Sequence, residues 1–412
     1  MQNVPKKTLL FVCGTRPEVI KLAPVIHAAE ADDAVRAEVC LTAQHRQLTD
    51  QFLPFFGLRP SVDLDLMSTN QPLAELTAQV VSRCSAVYQK ICPDLVVVQG
   101  DTATAFAAAL AASFHQIPVA HVEAGLRSHC RQSPFPEETN RVLISHVARL
   151  HFAPTPAARD NLYREGIKEG VFVVGNTVVD ALQLGLRALA RTGRPAGLAR
   201  FDFDSQRPLA LVTLHRRESW GEPLQNVCRA LAETARDYPA VEFVYPIHPN
   251  PLVREPARQW LAGLGNVRLL DPLGYQEFLW LLARSALVLT DSGGVVEEAV
   301  TLGIPTLVAR EKTERAEAFE AGAAVLVGTD RPRILAALRP RLDAALRNGA
   351  IAPRDGKNAS SVFGDGHAAE RILRLAKRHL GLADATPSPF QKSGSVSSRY
   401  GKRSRQDLLF PI

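Results

Sequence analysis

The sequence predicts an α/β protein of two doubly wound domains that share one cleft. Three observations carry that reading. The chain has 412 residues, more than one hydrophobic core usually organises, so two domains of ordinary size are expected. Short runs rich in Val, Ile and Leu recur, each followed by a polar or glycine-containing turn and a helical pattern, as in parallel βαβ units. Polar and charged residues gather directly after those runs, at the strand ends where open parallel sheets bind ligands.

In the first half the runs are Leu9 to Cys13, Glu38 to Leu41, Leu95 to Val98, Val119 to Val122, His151 to Ala153 and Val171 to Val174. In the second they are Leu209 to Thr213, Glu242 to Tyr245, Val267 to Leu270, Leu287 to Thr290, Pro305 to Val308 and Val325 to Val327. Between Asn176 and Pro208 the pattern changes to a helix and then Gly- and Arg-rich sequence, which marks a linker. Ala368 to His379 reads as an amphipathic helix, and the Ser/Pro/Lys/Arg sequence after it lacks the apolar content to fold alone. The expected division is a first domain over residues 1–175, a second over 176–363, a C-terminal helix over 364–382 and a basic, disordered tail over 383–412.

Composition bounds the function. Hydrophobic residues make up 46% and charged residues 22%, the profile of a soluble globular protein. The longest apolar stretch, Ala103 to Phe114, is too short to cross a bilayer and reads as a buried alanine-rich helix. Leu9 to Val12 is too short for a signal-peptide core, so a cytoplasmic protein is expected. Six cysteines without a C-x-x-C pair suggest reduced thiols, with neither a zinc site nor a disulfide framework. Nor do the histidines show metal-ligand spacing, so no metal is expected. A net charge of +6 fits either a nucleic-acid partner or cations that hold an acidic small substrate. Much of the excess lies in Lys392 to Arg405.

The turns carry the chemistry. Gly14-Thr15-Arg16-Pro17-Glu18 links a strand to a helix, with Lys21 one turn on; such a turn offers N–H groups and positive charge to a phosphate, or Gly14 merely tightens it. His215-Arg216-Arg217 sets three cationic or protonatable groups at a strand end, where a diphosphate needs more than one cation. Asp291-Ser292-Gly293-Gly294 opens a helix that Ser292 can cap while the glycines admit a phosphate. Glu297 and Glu298, one turn in, either reach a ribose or complement the helix dipole. Asp101, Glu123 and Glu137 lie in turns as acid-base candidates, since carboxylates brought together can hold their pKa values apart. For Glu138 the simpler reading is a helix start at Pro136-Glu137-Glu138. Tyr275 to Trp280 is an aromatic-apolar cluster of the kind that usually lies in a core.

Eleven segments in order, GTRPEVIK (Gly14 to Lys21), TAQHR (Thr42 to Arg46), QGDT (Gln99 to Thr102), HVEAGLR (His121 to Arg127), PFPEETNR (Pro134 to Arg141), GNTVVD (Gly175 to Asp180), HRRES (His215 to Ser219), YPIHPNP (Tyr245 to Pro251), DSGGVVEEA (Asp291 to Ala299), TER (Thr313 to Arg315) and GDG (Gly364 to Gly366), together resemble the non-hydrolysing bacterial UDP-N-acetylglucosamine 2-epimerases. The resemblance implies a GT-B-like arrangement: two Rossmann-like domains facing a central cleft, with a C-terminal helix returning to the first. It implies interconversion of UDP-N-acetylglucosamine and UDP-N-acetylmannosamine for envelope polysaccharide synthesis. Such a reaction eliminates UDP with the C2 proton and re-adds it to 2-acetamidoglucal, with no cofactor. It further implies a homodimer that binds no nucleic acid and inserts in no membrane. By the match Asp101, Glu123, Glu137 and His215 are catalytic. Arg16, Lys21, His215, Ser292 and Gly293 hold the diphosphate, Glu298 the ribose and Phe278 the uracil, while Arg141, His248, Gly294 and Arg315 complete the substrate-binding set. Gln44, Gln47 and Asn70 match an allosteric site for a second substrate molecule, with Asn70 where the family commonly has Arg. Val296 for Gln, Ala316 for Pro and a missing N-P before Gly364 are further departures. A glycosyltransferase of the same fold, a hydrolysing epimerase and a non-catalytic UDP-sugar sensor are the alternatives.

Overall fold

A computed structural model describes residues 6–42, 52–66, 71–132, 134–203, 206–311, 313, 315–348, 362–382 and 387–390. The first half alternates β1 (Lys7–Cys13), α1 (Arg16–Glu30), β2 (Val35–Leu41), α2 (Phe52–Phe56), β3 (Val62–Asp63), α3 (Leu73–Ile91), β4 (Leu95–Gln99), α4 (Ala103–Phe114), β5 (Val119–Val122), α5 (Glu137–Val147), β6 (Leu150–Ala153), α6 (Pro156–Arg164) and β7 (Val171–Val173). After α7 (Thr177–Thr192) come β8 (Leu209–Thr213), α8 (Glu222–Asp237), β9 (Glu242–Pro246), α9 (Pro251–Leu261), β10 (Val267–Leu270), α10 (Tyr275–Arg284) and β11 (Ser285–Thr290). Then follow α11 (Gly293–Thr301), β12 (Thr306–Val308), α12 (Ala316–Glu320), β13 (Ala324–Leu326), α13 (Arg331–Asn348) and α14 (Ala368–His379).

The strands form two parallel sheets, ordered β3-β2-β1-β4-β5-β6-β7 and β10-β9-β8-β11-β12-β13. In each sheet the order reverses beside one central strand, between β1 and β4 and between β8 and β11. Crevices open at such reversals, because successive crossovers leave to opposite sides. The turns after these four strands are Gly14-Thr15, Gly100-Asp101, His215-Arg216 and Asp291-Ser292, so four of the motifs lie at the two crevices. This is the doubly wound, GT-B-like plan that the sequence predicts.

Central strands read as unbroken apolar runs because both faces are covered. From Thr8 to Cys13 every residue of β1 is buried. β3 has no counterpart among the expected runs: two residues, Val62 and Asp63, pair with Cys40 and Leu41, too few to give a pattern.

The segment read as a linker begins with a packed helix. In α7, Leu182, Leu186 and Leu189 are buried in a core that also holds Phe11 and Ile26 of the first half and Tyr275 and Leu279 of the second. At Gly185 a Cβ atom would lie 2.4 Å from a Leu279 methyl, so glycine permits the close approach of α10. α14 lies against α1 and α7, tied by Lys377 Nζ to Asp32 at 2.6 Å and by the Ala369 N–H to Asp180 at 2.9 Å. Part of the tail is also seated. Phe390 is buried beside Gly175, and its N–H donates to the Val173 carbonyl on edge strand β7. One phenylalanine on a proline-bracketed stretch suffices where a sheet edge offers an unpaired carbonyl, a possibility that composition does not register. No helix among the described residues is long and apolar enough to cross a membrane.

Candidate active site

The second lobe contributes an open helix end. Asp291, fully buried, accepts the N–H groups of His215 (2.8 Å) and Arg216 (2.9 Å), which fastens the β8 turn to the β11 turn. Asp291 also lies 3.4 Å from His215 Nδ1, and His215 stacks on His248 with ring centres 6.2 Å apart. Burial lowers the His215 pKa more than Asp291 raises it, so the ring is neutral at physiological pH. Ser292 occupies the N-cap position of α11 but its side chain makes no capping bond. A Cβ atom on Gly294 would meet nothing within 4 Å. A helix start with an unspent hydroxyl and an uncrowded glycine suits an anion.

The turn after β1 in the first lobe differs from the expectation. Its N–H groups are not offered to a phosphate, because Glu18 Oε2 accepts from Gly14 N (3.0 Å), Thr15 N (2.7 Å) and Thr15 Oγ1 (2.8 Å). Glu18 Oε1 takes the Thr102 hydroxyl at 2.6 Å. The T-x-x-E spacing of a capping box was the available signal. What the turn presents instead is Arg16, exposed, with its guanidinium 5.6 Å from the centre of the Phe52 ring.

Between the lobes lies a buried charge cluster. Lys21 Nζ is 2.6 Å from Glu123 Oε1 and 3.3 Å from Glu297 Oε2. Arg315 stands 2.5 Å from Glu297 and 3.7 Å from Glu123, and Asn176 Nδ2 reaches Glu297 at 3.2 Å. Glu123 has φ +67°, a left-handed conformation costly for a side-chain-bearing residue; Gln99 donates to its second oxygen. Asp101 pairs with Arg141, whose neighbour Asn140 bonds the Asp101 carbonyl at 2.9 Å. Burial raises the pKa of Asp101; Arg141 opposes, and the negative charges of Glu123 and Glu137 add to the rise. For Glu123 burial also pushes upward, but Lys21 and Arg315 prevail and the net shift is down. Two neighbouring carboxyls thus differ in proton affinity, that of Asp101 moved up and that of Glu123 moved down. Among the described residues no group of three or more His, Cys, Asp or Glu side chains is arranged to hold a metal ion.

Comparison with known proteins settles the family. The UDP-N-acetylglucosamine 2-epimerase family model matches residues 27–377. The chain is 46% identical over 375 residues to a UDP-N-acetylglucosamine 2-epimerase of Yersinia pestis, covering 90% of this chain and 98% of that one. The chain belongs to the UDP-N-acetylglucosamine 2-epimerase family. It is 44% identical to the epimerase of Escherichia coli K12 over 376 residues, 90% of this chain and 98% of that one. The Neisseria meningitidis UDP-GlcNAc 2-epimerase, solved with UDP-GlcNAc bound, superposes with a TM-score of 0.81 at 39% identity, covering 90% and 100% of the two chains.

Within this epimerase-family fold the residues expected at the site divide into groups. Asp101, Glu123 and Arg141 gather with Lys21 and Arg315, while His215, His248, Ser292, Gly293 and Gly294 gather at the second lobe's helix end. The positive charge of Arg16, from the first lobe, bears on His215 and on Glu298 of the second, so the turn after β1 faces the second lobe's site residues. Glu137 has a buried oxygen without a hydrogen-bond partner. Glu138 is structural, accepting the N–H groups of Ser128 (2.9 Å) and His129 (3.0 Å). Lys21 is buried against two carboxylates rather than at the open helix end. Phe278 is half-buried against the core on α10. Gln44, Gln47 and Asn70 lie outside the described residues.

Glu298 and Tyr275 form a pair that sequence reasoning did not find. The Tyr275 hydroxyl donates to Glu298 at 2.8 Å, and its ring packs on Phe52, Phe55 and Phe56 of the first lobe. An aromatic cluster read as core gives no hint that one hydroxyl in it is placed against a carboxylate. Burial lifts the Glu298 pKa to about 7, against the pull of Tyr275 and Arg16.

Proposed function

We propose that this chain interconverts UDP-N-acetylglucosamine and UDP-N-acetylmannosamine by eliminating and re-adding UDP. The observation that carries the reading is the adjacent pair Asp101 and Glu123, with proton affinities moved in opposite directions, in a cleft whose other wall is an open helix N-terminus. Inversion at C2 needs a proton removed on one face and delivered on the other, which calls for two groups in opposite states. Glu123, ionised, takes the C2 proton; the C2–H electrons become the C1=C2 bond, and the C1–O bond breaks with its electrons leaving on UDP. Asp101 then supplies a proton to the opposite face of 2-acetamidoglucal as UDP adds back to C1.

The remaining roles follow from position. Ser292, Gly293 and Gly294 at the start of α11, with Arg16 and His215, receive the diphosphate that departs, and Glu298 receives ribose hydroxyls. Arg141 orients Asp101, and Arg315 orients Glu123. His248 steadies His215, Phe278 stands near the uracil, and Glu137 lends negative charge beside Asp101. The division at 175/176, a homodimer, cytoplasmic action and a non-hydrolysing outcome belong to the same reading. Exposed Phe114 and Leu143, on adjoining helices α4 and α5, support the dimer.

Incubation with UDP-N-acetylglucosamine in deuterated water tests the reaction. NMR is expected to show deuterium at C2 of both epimers, because each elimination exchanges that proton. Epimer formed with its original hydrogen retained excludes the elimination, and UDP with free N-acetylmannosamine identifies a hydrolase.

A second expectation concerns pH. UDP-N-acetylglucosamine has both phosphates esterified and does not titrate near neutrality, and His215 is neutral there. Ribose hydroxyls are better accepted by ionised Glu298, so affinity should rise with pH through about 7. If only the carboxylate binds, the dissociation constant at pH 6 should be about ten-fold weaker than at pH 8, and Glu298→Gln should flatten the dependence. A calorimetric titration giving equal affinity at both pH values removes Glu298 from the ribose site.

A further inference from the structure

Four of the buried side chains form a closed ring. Glu123 contacts both Lys21 and Arg315, and Glu297 contacts the same two cations. Lys21 and Glu123 come from the first lobe, on α1 and after β5; Glu297 and Arg315 come from the second, on α11 and before α12. Two sides of the ring therefore lie within a lobe, Lys21 to Glu123 and Arg315 to Glu297, while the other two cross between lobes. Asn176, at the passage from one lobe to the other, lies 3.5 Å from Glu123 and 3.2 Å from Glu297 with the same amide nitrogen. Glu297 is 1% exposed, too deep to serve as a solvated counter-charge. The ring is neutral as drawn, with two cations and two carboxylates, but removing either carboxylate leaves an unbalanced buried charge.

We propose that Glu297 is a positioning residue that couples closure of the two lobes to the placement of Glu123, acting through Lys21 and Arg315. The helix-dipole reading does not account for its geometry. Its carboxylate points to two side chains that also hold Glu123, and one of these is on the opposite lobe. When the lobes part, the Lys21–Glu297 and Arg315–Glu123 contacts break together. Glu123 then loses one of its two cations and Lys21 one of its two anions, so the base is correctly held only in the closed form. The inference rests on the epimerase reading, which supplies the role of Glu123.

The test compares Glu297→Gln, Glu297→Asp, Arg315→Gln and the double variant Glu297→Gln/Arg315→Gln with the parent chain. Expected for Glu297→Gln is a fall in kcat of about 10²-fold, with UDP affinity falling no more than about ten-fold, because the open end of α11 is untouched and only the share of binding tied to closure is lost. Glu297→Asp, which keeps the charge, is expected to recover about ten-fold of that loss. The double variant should be scarcely worse than the worse single variant, since residues acting as a unit are non-additive. Small-angle scattering should show Glu297→Gln remaining expanded when UDP is added, while the parent contracts. A glutamine variant within three-fold of parental kcat, UDP affinity falling in step with kcat, or multiplicative losses in the double variant would each overturn the proposal. If Glu297→Gln proves insoluble, Glu297→Asp decides: parental kcat overturns the proposal, and reduced kcat with intact UDP affinity sustains it. A parent chain inactive on UDP-N-acetylglucosamine would defeat the epimerase reading instead, and the scattering comparison would still judge the coupling.

Discussion

Glu123→Gln is expected to lower turnover by about 10²- to 10⁴-fold, the usual worth of a general base, while the chain still folds. The geometry makes the loss compound. Glu123 accepts from Lys21 on one oxygen and from Gln99 on the other, so a glutamine amide in either orientation turns its NH₂ group toward a donor. Turned toward Lys21, it leaves that ammonium with Glu297, 3.3 Å away, as its carboxylate partner; turned toward Gln99, it obliges the Gln99 amide to flip and accept. The variant also leaves the ring of Lys21, Arg315 and Glu297 with one surplus positive charge. Steady-state kinetics, circular dichroism and deuterium exchange at C2 measure the three effects separately. Turnover near that of the parent, with normal exchange, removes Glu123 from the proton transfer. Turnover lost with exchange retained would assign it to UDP departure instead.

The largest expected effect on stability falls two residues later. Gly125 has φ +85°, and a Cβ atom there would lie 2.2 Å from the Ala158 carbonyl oxygen and 3.0 Å from Leu162. Backbone cannot yield as a flexible side chain does, so Gly125→Ala forces the loop after β5 away from α6. We expect destabilisation of about 3 kcal/mol or more, the sum of left-handed strain and overpacking. Gly166→Ala is the control: φ is +83° but nothing lies within 4 Å, and only about 1–2 kcal/mol is expected. Thermal inactivation and soluble yield should separate the two variants clearly. Equal behaviour would mean that the loop is free to shift.

Strand and motif positions were legible because parallel strands buried on both faces leave short apolar runs, and because the residues that follow them are polar at a crevice. β11 illustrates the limit: Leu287 to Thr290 stands out, while Ser285, which begins the strand, hides its polarity in a bond to the Leu281 carbonyl. Partnerships were less legible than positions. Lys21 follows Gly14 by seven residues and looks like a phosphate ligand, but its burial between Glu123 and Glu297 depends on chain 102 and 276 residues distant. The separation of Glu297 from Glu298 was likewise beyond the sequence, since adjacent helical residues point about 100° apart. One turns to the charged ring and the other to Tyr275.

Glu18 has a consequence for how a ligand can be gripped. The Gly14 and Thr15 donors before α1 are held by a carboxylate of their own turn, while the start of α11 keeps its serine hydroxyl and its glycine uncommitted. An anion held as proposed between the lobes therefore meets backbone at the start of α11 and, from the turn before α1, one long side chain, Arg16. One wall is a mould and the other a finger: the first sets where the anion rests, and the second can follow it as it leaves.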